Sequence, residues 1–245
     1  MKERTVYFSI IGVASVLMII FNQIGLSART SVKKDSLSRT RVPTRATKSV
    51  SSNILCFGDS ITTGMSPPNS ELFPFALYLE HAMQQTHNVK VHNLGLPGFT
   101  ANQMINDIDG EHGLRKTLKT GDSIDVVIIM AGTNDLMYTV EVNTVIDSIT
   151  SLHRVCHDEG VRYTVAIGIP PSVHQSSNPE ISNRAQTIND ALSHYCASDP
   201  NTLFVPFPFE FQLESDLWAN DGIHFSPKGY QVLGESLFPL LQKLL

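Results

Sequence analysis

Short, uninterrupted apolar runs alternate along this chain with longer segments in which apolar residues recur every three to four positions. The runs are residues 53–57, 89–93, 125–130, 163–169 and 203–205. Within the third, Val126, Val127, Ile128, Ile129 and Met130 follow one another with no polar alternation, the pattern of a parallel strand buried on both faces. The intervening segments read as helices over 72–85, 100–118 (interrupted around Gly110 and Gly113), 142–156, 179–197 and from Ser226 towards Leu245. In the third of these, Val142, Val145, Ile146, Ile149, Leu152, Val155 and Cys156 fall on a 3.6-residue period, and Gly160 ends it. Ser226 and Pro227 form an N-cap and first-turn pair for the last helix. Strand and helix alternating in this way predict a parallel sheet with helices on both faces. Right-handed crossovers leave few ways of winding it. No internal repeat is visible.

Ahead of the first strand the pattern changes. Residues 5–21 are almost unbroken apolar, and no charge follows until Arg29. Signal-peptide cores run to about 15 residues and membrane spans need about 20, so the length lies between the two. We read residues 1–28 as a single-pass anchor, with a cleaved signal peptide as the alternative, since no Ala-x-Ala cleavage site appears. Residues 29–52 form a basic linker rich in Ser and Thr. Its cations, Arg29, Lys33, Lys34, Arg39, Arg41, Arg45 and Lys48, would hold that flank cytosolic by the positive-inside rule. The same composition is that of an organelle transit peptide. The expected location is therefore a membrane of the secretory pathway, with secretion or a plastid as alternatives, and the folded domain is expected over 53–245.

Charge divides at the same point. Residues 1–50 hold 9 Lys/Arg and 2 Asp/Glu, a net of +7; the rest of the 18 basic and 23 acidic residues leave −12 on the folded part. An acidic domain argues against a nucleic-acid partner. Cys156 and Cys196 flank one predicted strand, and nothing in their spacing requires a disulfide. No Asn-x-Ser/Thr acceptor occurs.

Candidate chemistry lies in four blocks. Phe57-Gly58-Asp59-Ser60-Ile61-Thr62 follows the first strand, and Asp221-Gly222-Ile223-His224 lies near the end. A serine hydroxyl is a poor nucleophile at neutral pH; it needs a base to take its proton and an acid to orient that base. Gly-Asp-Ser recurs at Gly121, Asp122 and Ser123, but ahead of a strand. Active-site loops of parallel sheets lie at the carboxyl ends of strands, which favours Ser60. Two further blocks, Asn93-Leu94-Gly95-Leu96-Pro97-Gly98-Phe99-Thr100 and Ala131-Gly132-Thr133-Asn134-Asp135, follow the second and third strands and fall on the same sheet edge. A glycine amide and an asparagine amide are suitable oxyanion donors.

In this order the four blocks resemble the SGNH hydrolases, the GDSL esterase/lipase family, over essentially the whole of 53–245. The resemblance implies a flavodoxin-like three-layer α/β/α sandwich on a five-stranded parallel sheet. It implies Ser60 as nucleophile, His224 as general base, Asp221 as its orienting acid, and Ser60 N–H, Gly98 N–H and the Asn134 amide as the oxyanion hole. The activity expected is hydrolysis of carboxylic (acyl or acetyl) esters of small molecules, glycans or lipids through an acyl-enzyme, with no metal or cofactor. An acyltransferase using the same residues is the alternative, and a silent binding protein a remoter one. The Gly-x-Ser-x-Gly elbow of other lipases is absent. Among the remaining histidines, His153 and His157 stand at i, i+4 beside Cys156 and are read as a plain helix surface in preference to a metal face. His174 falls in a loop on the active edge. Phe73, Phe75, Met137, Tyr138 and Trp218 are candidates for an acyl pocket, with core packing the competing reading.

Overall fold

The computed structural model describes residues 51–212 and 214–245; the expected anchor and most of the basic linker lie outside them. Five strands, β1 (Ser52–Gly58), β2 (Val89–Gly95), β3 (Val126–Met130), β4 (Tyr163–Ile167) and β5 (Thr202–Val205), form one sheet in the order β2-β1-β3-β4-β5. Every neighbouring pair is parallel. This is the flavodoxin-like winding, with its switch point between β1 and β3. The helices are α1 (Ser60–Thr63), α2 (Phe75–Met83), α3 (Ala101–Asn106), α4 (Leu114–Thr120), α5 (Thr133–Met137), α6 (Val142–Asp158), α7 (Val173–Ser177), α8 (Pro179–Ala197) and α9 (Pro227–Leu241).

Strand alternation sorts the core into two layers. Leu55, Phe57, Val127 and Ile129 point to a layer closed by Met104, Val145, Ile149, Leu152, Ile188 and Leu192. Ile54, Cys56, Val126, Ile128, Val165 and Ile167 point to the other, closed by Phe75, Leu79, Tyr230, Leu233 and Leu237 of α2 and α9. Burying each such side chain contributes roughly 1.5–3 kcal/mol, so the central strands have little choice of face. Phe75 and Trp218 are core residues, 0% and 6% exposed, while Met137 and Tyr138 stay exposed.

Local signals set the helix ends. Pro74 starts α2 three residues later than its apolar pattern begins, because Leu72 is exposed and Phe73 donates its N–H to Gly64 O. The stretch 100–118 divides into α3 and α4 around Gly110 and Gly113, and Thr100 and Gln103 form a reciprocal capping box on α3. Asn178 caps α8, with Pro179 at its first turn. Cys56, Cys156 and Cys196 are buried free thiols. No helix among the described residues is long and apolar enough to cross a membrane.

His153 departs from the expected helix surface. It is fully buried, and neither ring nitrogen has a hydrogen-bond partner among the described residues. The α6 face carrying Ile149, Leu152, Val155 and Cys156 is wide enough to include it, and its ring lies 6.0 Å from that of Tyr195. Burial, with a smaller contribution from His157, pulls its pKa down to about 3. The unfolded chain therefore binds a proton that the folded one refuses, so stability falls as pH drops from about 6.5 towards 3. At pH 4 the loss from this one group is about 3 kcal/mol. Urea midpoints measured from pH 7 to 4 should fall more steeply for the wild type than for His153→Leu; parallel curves would refute this.

Candidate active site

All four blocks reach the carboxyl edge of the sheet. At the end of β1, the Asp59 carboxylate accepts the Ile61 N–H at 2.9 Å and caps the single turn α1, with Ser60 as its first residue. The chain enters the next loop at Met65, whose carbonyl accepts from the Tyr230 hydroxyl at 2.5 Å, tying this loop to α9. Ser123, by contrast, precedes β3, and its carbonyl accepts from the Asn53 side chain at the amino end of the sheet.

Ser60 Oγ lies 2.8 Å from His224 Nε2, across 164 residues of chain. His224 Nδ1 lies 2.6 Å from Asp221 Oδ2, and Asp221 Oδ1 accepts the backbone N–H groups of Ile223 (3.0 Å) and His224 (2.9 Å). Burial raises the Asp221 pKa, but the His224 side chain and the two backbone donors outweigh it and hold the carboxyl at about 2. An ionised Asp221 accepts the Nδ1 proton, which leaves Nε2 free to accept from the Ser60 hydroxyl.

The loop carrying Asp221 and His224 is a hairpin closed by an antiparallel bridge between Trp218 and Phe225, with Ala219 N–H donating to His224 O at 2.9 Å. Gly222 at its tip has φ +65°, and a Cβ there would come within 2.8 Å of Val173 Cβ. Any side chain would push the hairpin off α7. Below it lies an aromatic cluster. Phe207 and Phe209 pack on Phe225 with ring centroids 5.2 and 5.4 Å away, and Phe211 packs on Trp218 at 4.9 Å. Such pairs contribute about 0.5–1.5 kcal/mol each beyond area burial. Phe207, Phe209 and Phe211 are not among the residues that the four blocks single out. Their every-second-residue spacing just after β5 was the available signal.

The other two blocks face each other across the β1 end. Gly98 has φ +81°, and a Cβ there would meet nothing within 4 Å. Its left-handed backbone suits glycine, and nothing crowds it. Asn134, in α5, donates one amide hydrogen to Phe99 O at 2.9 Å and keeps a second. Asp135, fully buried, accepts the Ala101 N–H at 2.9 Å. The turn after β3 is thereby bolted to the loop after β2 at Phe99 and at Ala101, just past Gly98. Asp135 carries no local signal beyond its place in the block, and its bridging role depends on the fold. Burial pushes both Asp59 and Asp135 up, Asp59 to about 6, with the Asp135 carboxyl adding to the upward shift. His174, in α7, is half-buried.

This sheet, its winding and the four blocks at its carboxyl edge define the SGNH hydrolase fold. The family model for GDSL-like lipases/acylhydrolases matches residues 56–232, and the chain belongs to that family of ester hydrolases. The aryl esterase of M. smegmatis is similar in structure, at 22% identity and a TM-score of 0.63 over 79% of this chain and 100% of that one. A lipase/acylhydrolase from Enterococcus faecalis matches at 21% and 0.62 over 78% and 96%. A carbohydrate acetylesterase family member from Sinorhizobium meliloti matches at 17% and 0.60 over 79% and 99%. At these identities the likeness concerns the fold. No curated protein matches the sequence.

Proposed function

We propose that the chain is a serine esterase that cleaves small-molecule carboxylic esters through an acyl-enzyme on Ser60. The observation that carries this is the hydrogen-bonded series from Ser60 Oγ to His224 Nε2 (2.8 Å) and from His224 Nδ1 to Asp221 (2.6 Å). His224 takes the Ser60 proton as the oxygen attacks the ester carbonyl, and the imidazolium faces ionised Asp221. The oxyanion is held by Ser60 N–H, Gly98 N–H and the free Asn134 amide hydrogen. His224 then gives its proton to the departing alcohol. Water, deprotonated by His224, attacks the acyl carbonyl and regenerates Ser60. The four groups come from loops after β1, β2, β3 and β5, so their spacing is held by the sheet.

The test is a series of p-nitrophenyl esters from acetate to palmitate, offered to the full-length chain with and without an added alcohol acceptor. A serine-directed phosphonate is mapped by mass spectrometry alongside. Hydrolysis with the label on Ser60 is the expected result. Product appearing only when the acceptor is present would replace hydrolysis by acyl transfer, and absence of label would remove the serine mechanism.

A further inference from the structure

Behind the Asp221–His224 hairpin runs a groove of about 410 Å³ whose chemistry differs from that of an acyl pocket. One wall is α8, which presents Ser182, Gln186 and Asn189; the other is the extended segment after β5, which presents Phe207, Phe209 and Phe211. Ser172 and Gln175, from the turn into α7, lie between them. Among the described residues no lysine, arginine or histidine lines it, and Glu210 is its one ionisable side chain.

The polar groups there have capacity to spare. The Ser172 side chain makes no capping hydrogen bond to α7. Gln175 donates to Pro170 O at 2.7 Å and keeps its side-chain carbonyl oxygen. Asn189 accepts the Ile169 N–H at 2.8 Å, while its own amide reaches Ile169 O only at 3.5 Å. Gln186 donates to Asp190 at 2.7 Å and likewise keeps its carbonyl oxygen. An acyl chain would strip these groups of water without replacing their hydrogen bonds. An anion would meet Glu210 and no cation. A neutral ligand with many hydroxyls and flat C–H faces suits both walls, with amides for its hydroxyls and phenylalanine rings for its apolar faces.

The groove adjoins the reacting groups. Val173 N–H donates to Gly222 O at 2.9 Å, and a Cβ on Gly222 would lie 3.4 Å from the Phe211 ring. Gly222 stands between Asp221 and His224. We infer that this groove is a carbohydrate subsite: it holds sugar units of an oligosaccharide whose ester group is presented to Ser60. The inference rests on the esterase reading above and names the alcohol side of its substrate.

Two measurements on the full-length chain test it. The first is calorimetric titration with unesterified xylohexaose, cellohexaose and chitohexaose, for the wild type and for Gln186→Trp and Ser182→Trp. Positions 182 and 186 are both exposed, one turn apart on α8, so the new ring fills the groove from outside the core, and circular dichroism checks the fold. At least one hexaose should bind the wild type, and both variants should weaken it at least tenfold. The second is the ratio of kcat/KM on partially acetylated xylo-oligosaccharides to that on p-nitrophenyl acetate, which should fall at least tenfold in Gln186→Trp through KM. Binding of no hexaose, or binding that both tryptophans leave intact, overturns the subsite. Ser60→Ala separates the two failures. If it keeps the wild-type rate on p-nitrophenyl acetate, the Ser60 mechanism is wrong; if it loses that rate while no hexaose binds the wild type, only the subsite is wrong.

Discussion

Ser60→Ala is expected to lower kcat for p-nitrophenyl acetate by about 10⁵- to 10⁶-fold, the scale on which removing a serine nucleophile disables a triad. The fold should survive, because among the described residues the Ser60 hydroxyl bonds only to His224 Nε2, while Asp59 caps its turn and Gly64 closes it. Residual turnover above water would come from Gly98 N–H and Asn134, which the substitution leaves in place. Ser123→Ala is the matched control. Ser123 lies in the same Gly-Asp-Ser triplet, but before β3 and at the other end of the sheet, and its turnover should stay within twofold of the wild type. Activity lost in Ser123→Ala and kept in Ser60→Ala would reverse the assignment.

The second large effect is expected at Asp221. Asp221→Asn is nearly isosteric, and its carbonyl oxygen can still accept from Ile223 N and His224 N. The hairpin should therefore hold. What changes is the charge. An asparagine amide facing Nδ1 favours the tautomer whose proton sits on Nε2, where it blocks acceptance from Ser60, and it offers nothing to the imidazolium. A loss of about 10⁴ in kcat with little change in KM is expected. The wild-type carboxyl, held at about 2, stays ionised as pH falls through the range above it. The acid limb of the rate profile therefore belongs to another group, and a limb that followed Asp221 would be inconsistent with the contacts it makes. Retention of more than a tenth of kcat in Asp221→Asn would show that Asp221 only shapes the hairpin.

How far the site could be read in advance varied with how local each cause was. Strand positions and faces were legible because a buried parallel strand has to be apolar at successive residues, as in Val126–Met130. The helix over Pro179–Ala197 was legible to the residue because Asn178 and Pro179 mark its start chemically. Candidate residues stood out because each lay just after a strand, which in a parallel sheet means one shared edge. Short turns were less visible. α5 and α7, five residues each, have no period long enough to detect, yet they carry Asn134 and brace Gly222. His153 turns inward rather than onto the helix surface because a histidine on a helix leaves its facing open until the neighbouring helix is in place.

The strand–helix order, the acidic character of the domain and the four blocks that could meet are all legible in the linear chain. Those follow from interactions within a few residues: periodicity, caps and the need to bury apolar side chains. That Ser60 and His224 approach within hydrogen-bonding distance, that Asp135 ties the turn after β3 to the loop after β2, and that the Phe207–Phe211 segment builds the hairpin's support and one wall of a groove follow from the folded arrangement. The first two contacts span 164 and 34 positions, and the third joins the segment after β5 to the hairpin. Their geometry is set by the sheet's order and by close packing between layers, and no local stretch of chain contains it.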